Sequence, residues 1–341
     1  MKIIVDDKIP YIKGQIEQLG SEVLYLSGSK INADDVRDAD VLVVRTRTHC
    51  NRALLEGSTV KFIVTATIGY DHIDTAYLAE AGIEWTNCPG CNATSVAQYV
   101  RNNLFLLERE HDLHLKECTL GIVGVGHVGS EVLKACQPYV GRVLLNDPPR
   151  EAAGWTESTP LAQLMEQCDV ITFHTPLLRG GQWPTYHLAD EAFFHGLARC
   201  PLIINSARGE VVDNAALLVA LEEGRVRQAI VDTWEDEPRL SLPLLNKVYI
   251  GTPHIAGYSA DGKANATRMS LEAIARWMGK DDVSFHVVPP SVSGQIESCA
   301  DTVEGALRLY DPRQDSARLK ADPSSFEMLR GNYPLRRECL D

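Results

Sequence analysis

The sequence lacks an apolar run near the roughly 18 residues that a membrane-spanning helix requires. It also lacks a basic balance: 33 Lys and Arg stand against 46 Asp and Glu, and the formal net charge is -13. Nucleic acids and anionic membranes are bound by positively charged surfaces, so this balance argues against both as partners. We expect any anionic substrate to be bound by a local cluster of cations.

The beginning of the chain lacks the features of a secretory signal, because MKIIVDDKIPYIKG turns acidic at Asp6 and Asp7. We therefore expect a cytoplasmic protein whose nine cysteines are mostly reduced. Cys88 and Cys91 have the C-x-x-C spacing of half a zinc site or of a redox pair. No second C-x-x-C or spaced His pair completes a metal site in the sequence. We interpret the two cysteines as small residues in a Pro-Gly turn and predict no metal, with a zinc or redox site as the alternative.

The sequence does have the length and composition of a globular protein of two or three domains, with 341 residues, 45% hydrophobic and 23% charged. Short apolar strands alternate with amphipathic helices in two series, the first beginning with KIIVDD and the second with TLGIVGVG. This alternation predicts parallel sheets covered on both faces. Ligands of such sheets bind beyond the carboxyl ends of the strands. After about residue 286 the pattern changes, which predicts a small separate unit.

A dinucleotide site is predicted where a strand leads through Gly124-x-Gly126-x-x-Gly129 into a helix. The glycines let the backbone turn tightly and approach a pyrophosphate, whose charge the helix N-terminus favours. His127 and Val128 lie inside this loop. Asp147 ends the next strand, at the spacing expected of the carboxylate that binds the ribose hydroxyls and repels a 2′-phosphate. The cofactor predicted by this pattern is NAD rather than NADP.

Three strand ends of the second series carry a second group of candidate residues, Arg208, Glu237 and His254. The ends of neighbouring parallel strands converge, so these side chains can meet although they are far apart in sequence. Oxidation of an alcohol with NAD needs a base for the hydroxyl proton, and histidine is suited to that role. A carboxylate can orient the histidine ring, and an arginine can bind a substrate carboxylate with two parallel hydrogen bonds. Each of these residues alone fits a structural role as well as a catalytic one. The three together favour catalysis.

The glycine loop, NSARGEVVDNAALLVALEEG, DTWEDEP and TPHIAGYS together resemble the D-2-hydroxyacid dehydrogenase family over nearly residues 1 to 280. The resemblance implies two Rossmann-like and flavodoxin-like doubly wound domains, followed by a small α+β dimerisation domain that makes a homodimer. On this reading the substrate domain is formed by 1–93 and 258–285, the NAD domain by 94–257 and the dimerisation domain by 286–341.

The resemblance also assigns roles to individual residues. Arg208 binds the substrate carboxylate, His254 is the acid/base and Glu237 pairs with His254. Asp232 approaches the nicotinamide carboxamide and Gly257 lies close to the same ring. The remaining residues implied to line the cofactor are Thr175, Ser206, Ala207 and Arg208, and those implied to contact the substrate are Arg45, Thr46, Thr67 and Tyr258.

Four segments indicate which hydroxy acid is the substrate: TATIGYDHID, CPGCNATSVAQYV, NDPPR and IGTPHIAGYSADGKA. These segments resemble the branch of the family that oxidises 4-phospho-D-erythronate to 2-oxo-3-hydroxy-4-phosphobutanoate in the synthesis of pyridoxal 5′-phosphate (vitamin B6). Such a substrate carries a phosphate, and Arg45 and Arg47 alternate along an extended segment, so we expect Arg45 alone to reach it. The alternatives are another dehydrogenase of the family, such as one for 3-phosphoglycerate, and a non-enzymatic NAD-sensing interaction protein.

Overall fold

The protein forms two α/β units in a computed structural model that describes residues 1–280, 282–291 and 302–339. Residues 1–92 and 259–291 form the first unit. Residues 93–258 and the described residues from 302 onwards form the second. All strand pairs of both sheets are parallel, so the predicted pair of parallel-sheet α/β domains is confirmed.

The first unit has a five-stranded sheet. Its strands are β1 (Lys2–Asp6), β2 (Glu22–Leu26), β3 (Val41–Val44), β4 (Phe62–Thr65) and β5 (Glu84–Thr86). The order β2-β1-β3-β4-β5 is flavodoxin-like, and its ligand-binding switch point lies between β1 and β3. All four residues of β3 are buried and apolar, as expected of a strand covered on both faces. The helices of this unit are α1 (Ala33–Val36), α2 (Arg52–Leu55), α3 (Thr75–Ala81) and α11 (Ala260–Trp277).

Helix α11 belongs to the first unit although residues 93–258 of the second unit separate it from α3 in sequence. Its side chains Leu271 and Ile274 are buried in the same apolar core as Ile3 and Val5 of β1. The N-cap Ser259 accepts a hydrogen bond from the Gly262 N–H at 2.8 Å, which satisfies one of the unpaired donors of the first helical turn. Core packing and capping therefore both fix where this segment begins.

The second unit has a six-stranded sheet in the order β11-β10-β9-β8-β6-β7. Its strands are β6 (Thr119–Val123), β7 (Arg142–Asn146), β8 (Val170–Phe173), β9 (Leu202–Asn205), β10 (Gln228–Val231) and β11 (Ile250–Gly251). An isolated parallel bridge joins Leu145 to Ser158 beyond β7, where a further strand of the Rossmann order would lie. The chain reverses direction across the sheet between β6 and β8, which makes their carboxyl ends the switch point of this unit.

Ten helices accompany this second sheet among the residues that the structure describes. Seven lie before or between its strands: α4 (Ala93–Glu110), α5 (His127–Cys136), α6 (Pro148–Ala152), α7 (Leu161–Gln167), α8 (Glu191–His195), α9 (Asn214–Glu222) and α10 (Leu242–Lys247). Three follow α11 in sequence: α12 (Val303–Leu309), α13 (Pro312–Ala321) and α14 (Phe326–Gly331). Within the described part of the chain, no helix is both long and apolar enough to cross a bilayer.

The C-terminal region differs from the predicted separate α+β domain of residues 286–341. Its described residues from 302 to 339 contain helices but no strand, and they pack onto the second unit. Tyr310 and Phe326 are buried in the cores of that unit, and the Gly251 N–H of edge strand β11 donates to Ser316 Oγ at 3.0 Å. Several apolar side chains of these helices, such as Tyr310 and Phe326, are thus buried against the sheet, and α13 covers its edge. Dimerisation through this region remains a prediction, as do the three domain boundaries.

Candidate active site

The glycine loop joins β6 to α5 and makes the close backbone approaches that its sequence predicts. Gly124 has a φ of 87°, and a Cβ there would lie 2.9 Å from the carbonyl carbon and oxygen of His174. A Cβ on Gly129 would lie 2.0 Å from the Gly124 oxygen, so α5 packs directly on the loop. Around Gly126 a Cβ would meet no described atom within 4 Å. The start of α5 is therefore open to a pyrophosphate, which its backbone N–H groups favour.

Asp147 follows β7 and is held in a fixed orientation by backbone donors. Its Oδ2 accepts from the Val125 N–H at 2.8 Å and its Oδ1 from the Arg150 N–H at 3.1 Å. The Arg150 guanidinium donates to the Val125 carbonyl at 2.5 Å and stacks 4.2 Å from the Trp155 ring centroid. A carboxylate accepts about four hydrogen bonds, so Asp147 keeps capacity for ribose hydroxyls. Its negative charge would repel the 2′-phosphate of NADP.

Four buried polar atoms lie just beyond the ends of β8, β9 and β10 without hydrogen-bond partners among the described residues. Buried polar atoms are normally hydrogen-bonded, so such a group indicates where a polar ligand binds. Two of these atoms, Thr175 Oγ1 and Ser206 Oγ, belong to residues predicted to line the cofactor. The four atoms are His174 Nδ1, Thr175 Oγ1, Ser206 Oγ and Thr233 Oγ1. With the glycine loop and Asp147, they fit a dinucleotide at the carboxyl edge of this sheet.

Burial strongly lowers the pKa of two histidines that were not predicted as site residues. Burial lowers the pKa of His174 to about 3 and that of His72, in the first unit, to about 4. Each is neutral in the folded protein at pH 5 to 6, whereas an unfolded histidine takes up a proton near pH 6.5. The unfolded state therefore binds more protons over this range, and acid favours unfolding.

We expect this linkage to be measurable as extra acid sensitivity caused by His72. Between pH 7 and pH 4 the free energy of unfolding of the parent should fall by about 2–3 kcal/mol more than that of His72→Gln, which lacks the proton uptake. Urea unfolding of both proteins at several pH values measures the difference. Parallel stability curves over this pH range would contradict the low pKa of His72.

The structure brings together Glu237 and His254, the predicted acid/base pair. The Nδ1 atom of His254 lies 2.8 Å from Glu237 Oε2 and 3.2 Å from Oε1. Burial alone would raise the pKa of Glu237, but hydrogen bonds from His254 and from the Trp234 N–H outweigh it and hold the pKa low. Because an ionised carboxylate only accepts, Nδ1 carries the proton of the neutral ring. The other nitrogen, Nε2, is then the one that can accept a substrate proton.

Asp232 organises the turn that carries His254. It is fully buried, and its Oδ1 accepts from the Thr252 hydroxyl at 2.6 Å and from the Ile255 N–H at 2.8 Å. Its Oδ2 accepts from the Ala256 N–H at 3.0 Å. The backbone of His254, at a φ of 55°, donates to the Asp232 carbonyl at 2.8 Å. The contact of Asp232 with the nicotinamide carboxamide remains a prediction, and so does the approach of Gly257.

Arg208 lies in a loop after β9 that is held by one buried side chain. Asn205 donates from Nδ2 to the Arg208 carbonyl at 3.0 Å and accepts from the Ala207 N–H at 3.1 Å. The Arg208 guanidinium is half-buried, and its Nη1 donates to the Ala207 carbonyl at 2.8 Å. That single contact leaves most of its five N–H donors for a bound anion.

Gly209 fixes the Arg208 loop against the segment that leads to Glu237. A Cβ on Gly209 would lie 1.9 Å from the Trp234 oxygen and 2.5 Å from the Glu235 nitrogen. Both are backbone atoms, which cannot move aside as the end of a flexible side chain would. The Arg208 loop and the Trp234–Glu235 segment therefore pack backbone to backbone, and only glycine fits between them.

We expect Gly209→Ala to lower kcat/KM about 100-fold, because a shift of about 1 Å in the Arg208 loop misplaces the substrate. Steady-state kinetics compared with the parent measure the loss. Gly180→Ala is the matched control, because a Cβ on Gly180 would meet no described atom within 4 Å. A kcat/KM within threefold of the parent would show that the loop tolerates the extra methyl group.

Tyr258 is half-buried and contacts Arg330, a residue that was not predicted to belong to the site. Arg330 of α14 hydrogen-bonds the Tyr258 side chain, its guanidinium lies 5.7 Å from the ring centroid, and its charge acts on Glu237. Nearby, buried Arg336 donates to the carbonyl of Ala256. Both arginines lie within residues 286–341, which were predicted to form a dimerisation domain. No spacing signal in the sequence connects them to residues so distant in the chain.

The predicted substrate residues of the first unit lie at the carboxyl ends of β3 and β4. Arg45 is half-buried, and its Nη1 donates to the Lys8 carbonyl at 3.0 Å, beside the switch point of this sheet. Thr46 is exposed in the turn that follows. Thr67 is partly buried two residues after β4 and is hydrogen-bonded to Thr65 and to the Gly69 carbonyl. Their contacts with a substrate remain predictions.

Cys88 and Cys91 are both buried, and Cys88 contacts residues of α11. Its Sγ lies 3.3 Å from the Ala266 carbonyl and 3.3 Å from Ser270 Oγ. Burial raises the pKa of Cys88 to about 11. This disfavours the thiolate on which both zinc binding and redox exchange depend.

Another group, His187, Asp213 and Glu235, has ligand atoms within 4.8 Å of one another. Both ring nitrogens of His187 already face carboxylates, with Nε2 2.6 Å from Glu235 and Nδ1 3.5 Å from Asp213. The Asn214 N–H donates to the second oxygen of Glu235 at 2.9 Å. These contacts tie three loops of the second unit together and account for the cluster without a metal.

Comparison with known proteins agrees with this geometry. Residues 92–256 match the family described as D-isomer specific 2-hydroxyacid dehydrogenase, NAD binding domain. The glycine loop, Asp147 and the four unpartnered polar atoms all lie within these residues, and NAD is the cofactor of this domain. The similar solved structures include a D-lactate dehydrogenase from Aquifex aeolicus complexed with NAD and lactic acid, with a TM-score of 0.65 and 24% identity. The match covers 85% of this chain and 100% of that one, and it supports the fold.

Relatives named erythronate-4-phosphate dehydrogenase are similar over almost the whole chain. The protein from Bacteroides fragilis is 54% identical, with 99% of this chain and 97% of the relative covered. The one from Porphyromonas gingivalis is 43% identical, with 99% and 94% covered. Identity of this degree over nearly both full lengths extends beyond the nucleotide-binding domain to the first unit and the C-terminal helices. The chain therefore belongs to the erythronate-4-phosphate dehydrogenases, a branch of the D-isomer specific 2-hydroxyacid dehydrogenase family.

Proposed function

We propose that the protein oxidises 4-phospho-D-erythronate to 2-oxo-3-hydroxy-4-phosphobutanoate with NAD, a step in the synthesis of pyridoxal 5′-phosphate (vitamin B6). The observation that carries the proposal is the His254–Glu237 pair, in which the 2.8 Å contact commits Nδ1 and leaves Nε2 for the substrate. This pair lies on the same sheet as a dinucleotide site, so a base and a hydride acceptor are available together. The family membership gives the substrate class.

In this reaction the Nε2 atom of His254 takes the proton of the C2 hydroxyl. Bound NAD supplies the hydride acceptor for C2. Proton removal makes the imidazole positive, and the ionised Glu237 on the opposite side of the ring stabilises that charge. Because Trp234 and His254 both donate to Glu237, the carboxylate keeps its position as the ring changes charge. Reversal of the same steps reduces the oxo acid.

Arg208 is the residue proposed to bind the substrate carboxylate. A planar guanidinium forms two parallel hydrogen bonds with a carboxylate, which fixes the direction of C2 as well as its position. Arg45 and Thr46 are proposed to bind the phosphate, because a cation and a hydroxyl donor complement its charge. Tyr258, held by Arg330, is proposed to contact the substrate through its phenol.

We further propose a cytoplasmic homodimer. Support for association comes from apolar side chains of the C-terminal region, since Met328 is 58% exposed and Leu335 is 45% exposed. Sedimentation at several protein concentrations tests this proposal. A monomer at all concentrations would contradict it, and the catalytic proposal would be unaffected.

A substrate panel tests the activity. We expect NADH formation with 4-phospho-D-erythronate and NAD, followed by absorbance, and little with D-erythronate, which lacks the phosphate. Rapid oxidation of 3-phosphoglycerate without activity on 4-phospho-D-erythronate would replace the proposed substrate. NAD binding without oxidation of any 2-hydroxy acid would instead support a sensing protein. The His254→Ala variant is assayed in parallel. A much lower rate in this variant shows that the measured activity comes from this site.

A further inference from the structure

The segment that follows α14 lies along α4 within the second unit. Gln98 of α4 donates from Nε2 to the Arg337 carbonyl at 3.1 Å, and Arg101 donates from Nη2 to the Cys339 carbonyl at 2.9 Å. Residues three apart lie on the same face of a helix, so these two contacts hold the segment along one face of α4. Ser95 lies on that face one turn nearer the start of the helix.

Arg336 is a buried residue of this segment, and its described hydrogen bonds all come from one nitrogen. Nη2 donates to the Ala256 carbonyl and to the hydroxyl and carbonyl oxygens of Ser95. Nε and Nη1 have no hydrogen-bond partner among the described residues. The guanidinium carbon lies 4.2 Å from the ring centroid of Tyr310 and 5.9 Å from that of Tyr333. The aromatic rings stabilise the charge, and Nη2 directs it at Ser95 and Ala256.

Ala256 is held on both sides of its backbone. Its N–H donates to Asp232 Oδ2 at 3.0 Å, and its carbonyl accepts from Arg336 and from Ser95 Oγ at 2.8 Å. The single hydroxyl hydrogen of Ser95 goes to this carbonyl, so the hydroxyl oxygen is left to accept from Arg336. His254 lies two residues earlier in the same turn. Asp232 and Arg336 together therefore fix the backbone that follows His254.

Packing alone does not account for a charge at position 336. Removal of a charge from water is unfavourable, and replacement of buried charged groups by well-packed apolar side chains is often neutral or stabilising. The Ala256 carbonyl already has one donor in the Ser95 hydroxyl, so it would not be left unpaired without the arginine. What the arginine adds is a charge-assisted hydrogen bond, which is shorter and stronger than a neutral one.

We propose that Arg336 is a positioning residue for the reaction, which acts through the Ala256 carbonyl to hold the turn that carries His254. The proposal rests on the proposed function for the role of His254. The ring of His254 must present Nε2 to the hydroxy acid while Nδ1 stays on Glu237, so its backbone has to keep one orientation. Arg336 prevents the peptide after Ala256 from rotating. The segment after α14 thereby contributes to catalysis as well as to packing.

Kinetics of two substitutions test this role. Arg336→Met removes the charged donor and keeps a long side chain, and it should lower kcat about 10-fold because His254 is less well positioned. Arg336→Lys keeps a cation that can donate to the same carbonyl, and its kcat should stay within about threefold of the parent. An unchanged kcat in Arg336→Met would overturn the proposal. A loss in Arg336→Lys as large as that in Arg336→Met would also overturn it.

Binding of ADP-ribose separates positioning from general damage to the fold. This probe has the pyrophosphate and the adenosine of NAD but no nicotinamide, so it reports on the glycine loop and Asp147. Its Kd and its stoichiometry should be the same in the parent and in both variants. A stoichiometry that falls in parallel with kcat would show that Arg336→Met merely unfolds the protein, and would overturn the positioning role.

Arg109→Met is the matched control, because Arg109 also joins α4 to a C-terminal helix. It lies 3.9 Å from Glu304 of α12, its side chain is 48% exposed, and it is about 20 Å along α4 from Ser95. Its kcat should stay within about twofold of the parent, as is usual for exposed substitutions. A loss equal to that of Arg336→Met would show that any weakening of this contact lowers the rate, and would overturn the specific role of Arg336.

The contact itself is tested by NMR without any assay. Labelling with carbon-13 in the alanine carbonyls and nitrogen-15 in glycine gives one correlated signal for each Ala-Gly pair. The sequence has three such pairs, at 81–82, 153–154 and 256–257. Gly82→Asn and Gly154→Asn each remove one signal, and both are turn positions of positive φ that asparagine tolerates. The remaining signal belongs to the Ala256 carbonyl.

Loss of a charged donor reduces the polarisation of a carbonyl group. In Arg336→Met the Ala256 signal should therefore move upfield while the other two stay in place, and in Arg109→Met all three should stay. An Ala256 signal that does not move in Arg336→Met would overturn the contact through which Arg336 is proposed to act. If the parent does not oxidise 4-phospho-D-erythronate, the proposed function fails and the role of Arg336 in the reaction fails with it. The NMR result still decides whether Arg336 holds the turn.

Discussion

Replacement of His254 by Ala is expected to lower kcat by about 10²- to 10⁴-fold, the usual contribution of a positioned acid/base residue. The physical reason is that Nε2 of His254 is the proposed proton acceptor, since Nδ1 is committed to Glu237 at 2.8 Å. NAD affinity should change little, because the glycine loop and Asp147 are untouched. Single-turnover formation of NADH measures the chemical step, and a fluorescence titration measures cofactor binding.

The matched control is His195→Ala, at an exposed position at the end of α8. It removes the same ring and should leave kcat within about twofold, as exposed substitutions usually do. A kcat for His254→Ala within tenfold of the parent would contradict the role of His254. A parallel loss of NAD affinity would instead indicate that the turn around Asp232 had collapsed.

Arg208→Lys is expected to raise KM for the hydroxy acid about 10- to 100-fold, because a hydrogen bond to a charged group contributes about 1.5–3 kcal/mol and lysine forms only one. The charge is kept, so the change isolates geometry from electrostatics. The substitution should change KM for the hydroxy acid more than it changes the Kd of the cofactor. Initial rates over a range of substrate at saturating NAD give the two constants.

Arg37→Lys is the control for the Arg208 variant, because the Arg37 side chain is 70% exposed and pairs with Asp34 on the surface. Its KM should equal that of the parent. An unchanged KM in Arg208→Lys would show that another cation binds the carboxylate. Arg330 would then be the first to examine, since it lies against Tyr258.

Much of the site could be predicted because it depends on short, local patterns. A glycine loop between a strand and a helix has one common structural solution, and Asp147 follows at a fixed spacing. Arg208, Glu237 and His254 each come directly after a short apolar strand or the loop that follows it. Parallel strands bring such ends to one edge of a sheet, so the pairing of Glu237 with His254 could be expected before any coordinates.

The C-terminal helices could not be assigned in the same way. The segments that hold Tyr310, Phe326 and Arg336 have weak periodicity. Their contacts with the second unit join residues far apart in the chain, such as Asn102 with the Tyr310 carbonyl and Arg336 with the Ala256 carbonyl. Their packing onto the second unit is determined by which apolar surface of that sheet is left uncovered. A sequence pattern does not show this, so the region resembled a separate domain.

By itself the sequence determined the two α/β units, the dinucleotide loop and the contact between Glu237 and His254, because each follows from local periodicity and strand-end chemistry. Only the tertiary structure decided which nitrogen of His254 faces Glu237, because that depends on the atoms around the ring. It also decided that Arg330 reaches Tyr258 and that only glycine fits beside Trp234. Those features depend on contacts between segments far apart in the chain, and such contacts exist only once the cores have packed.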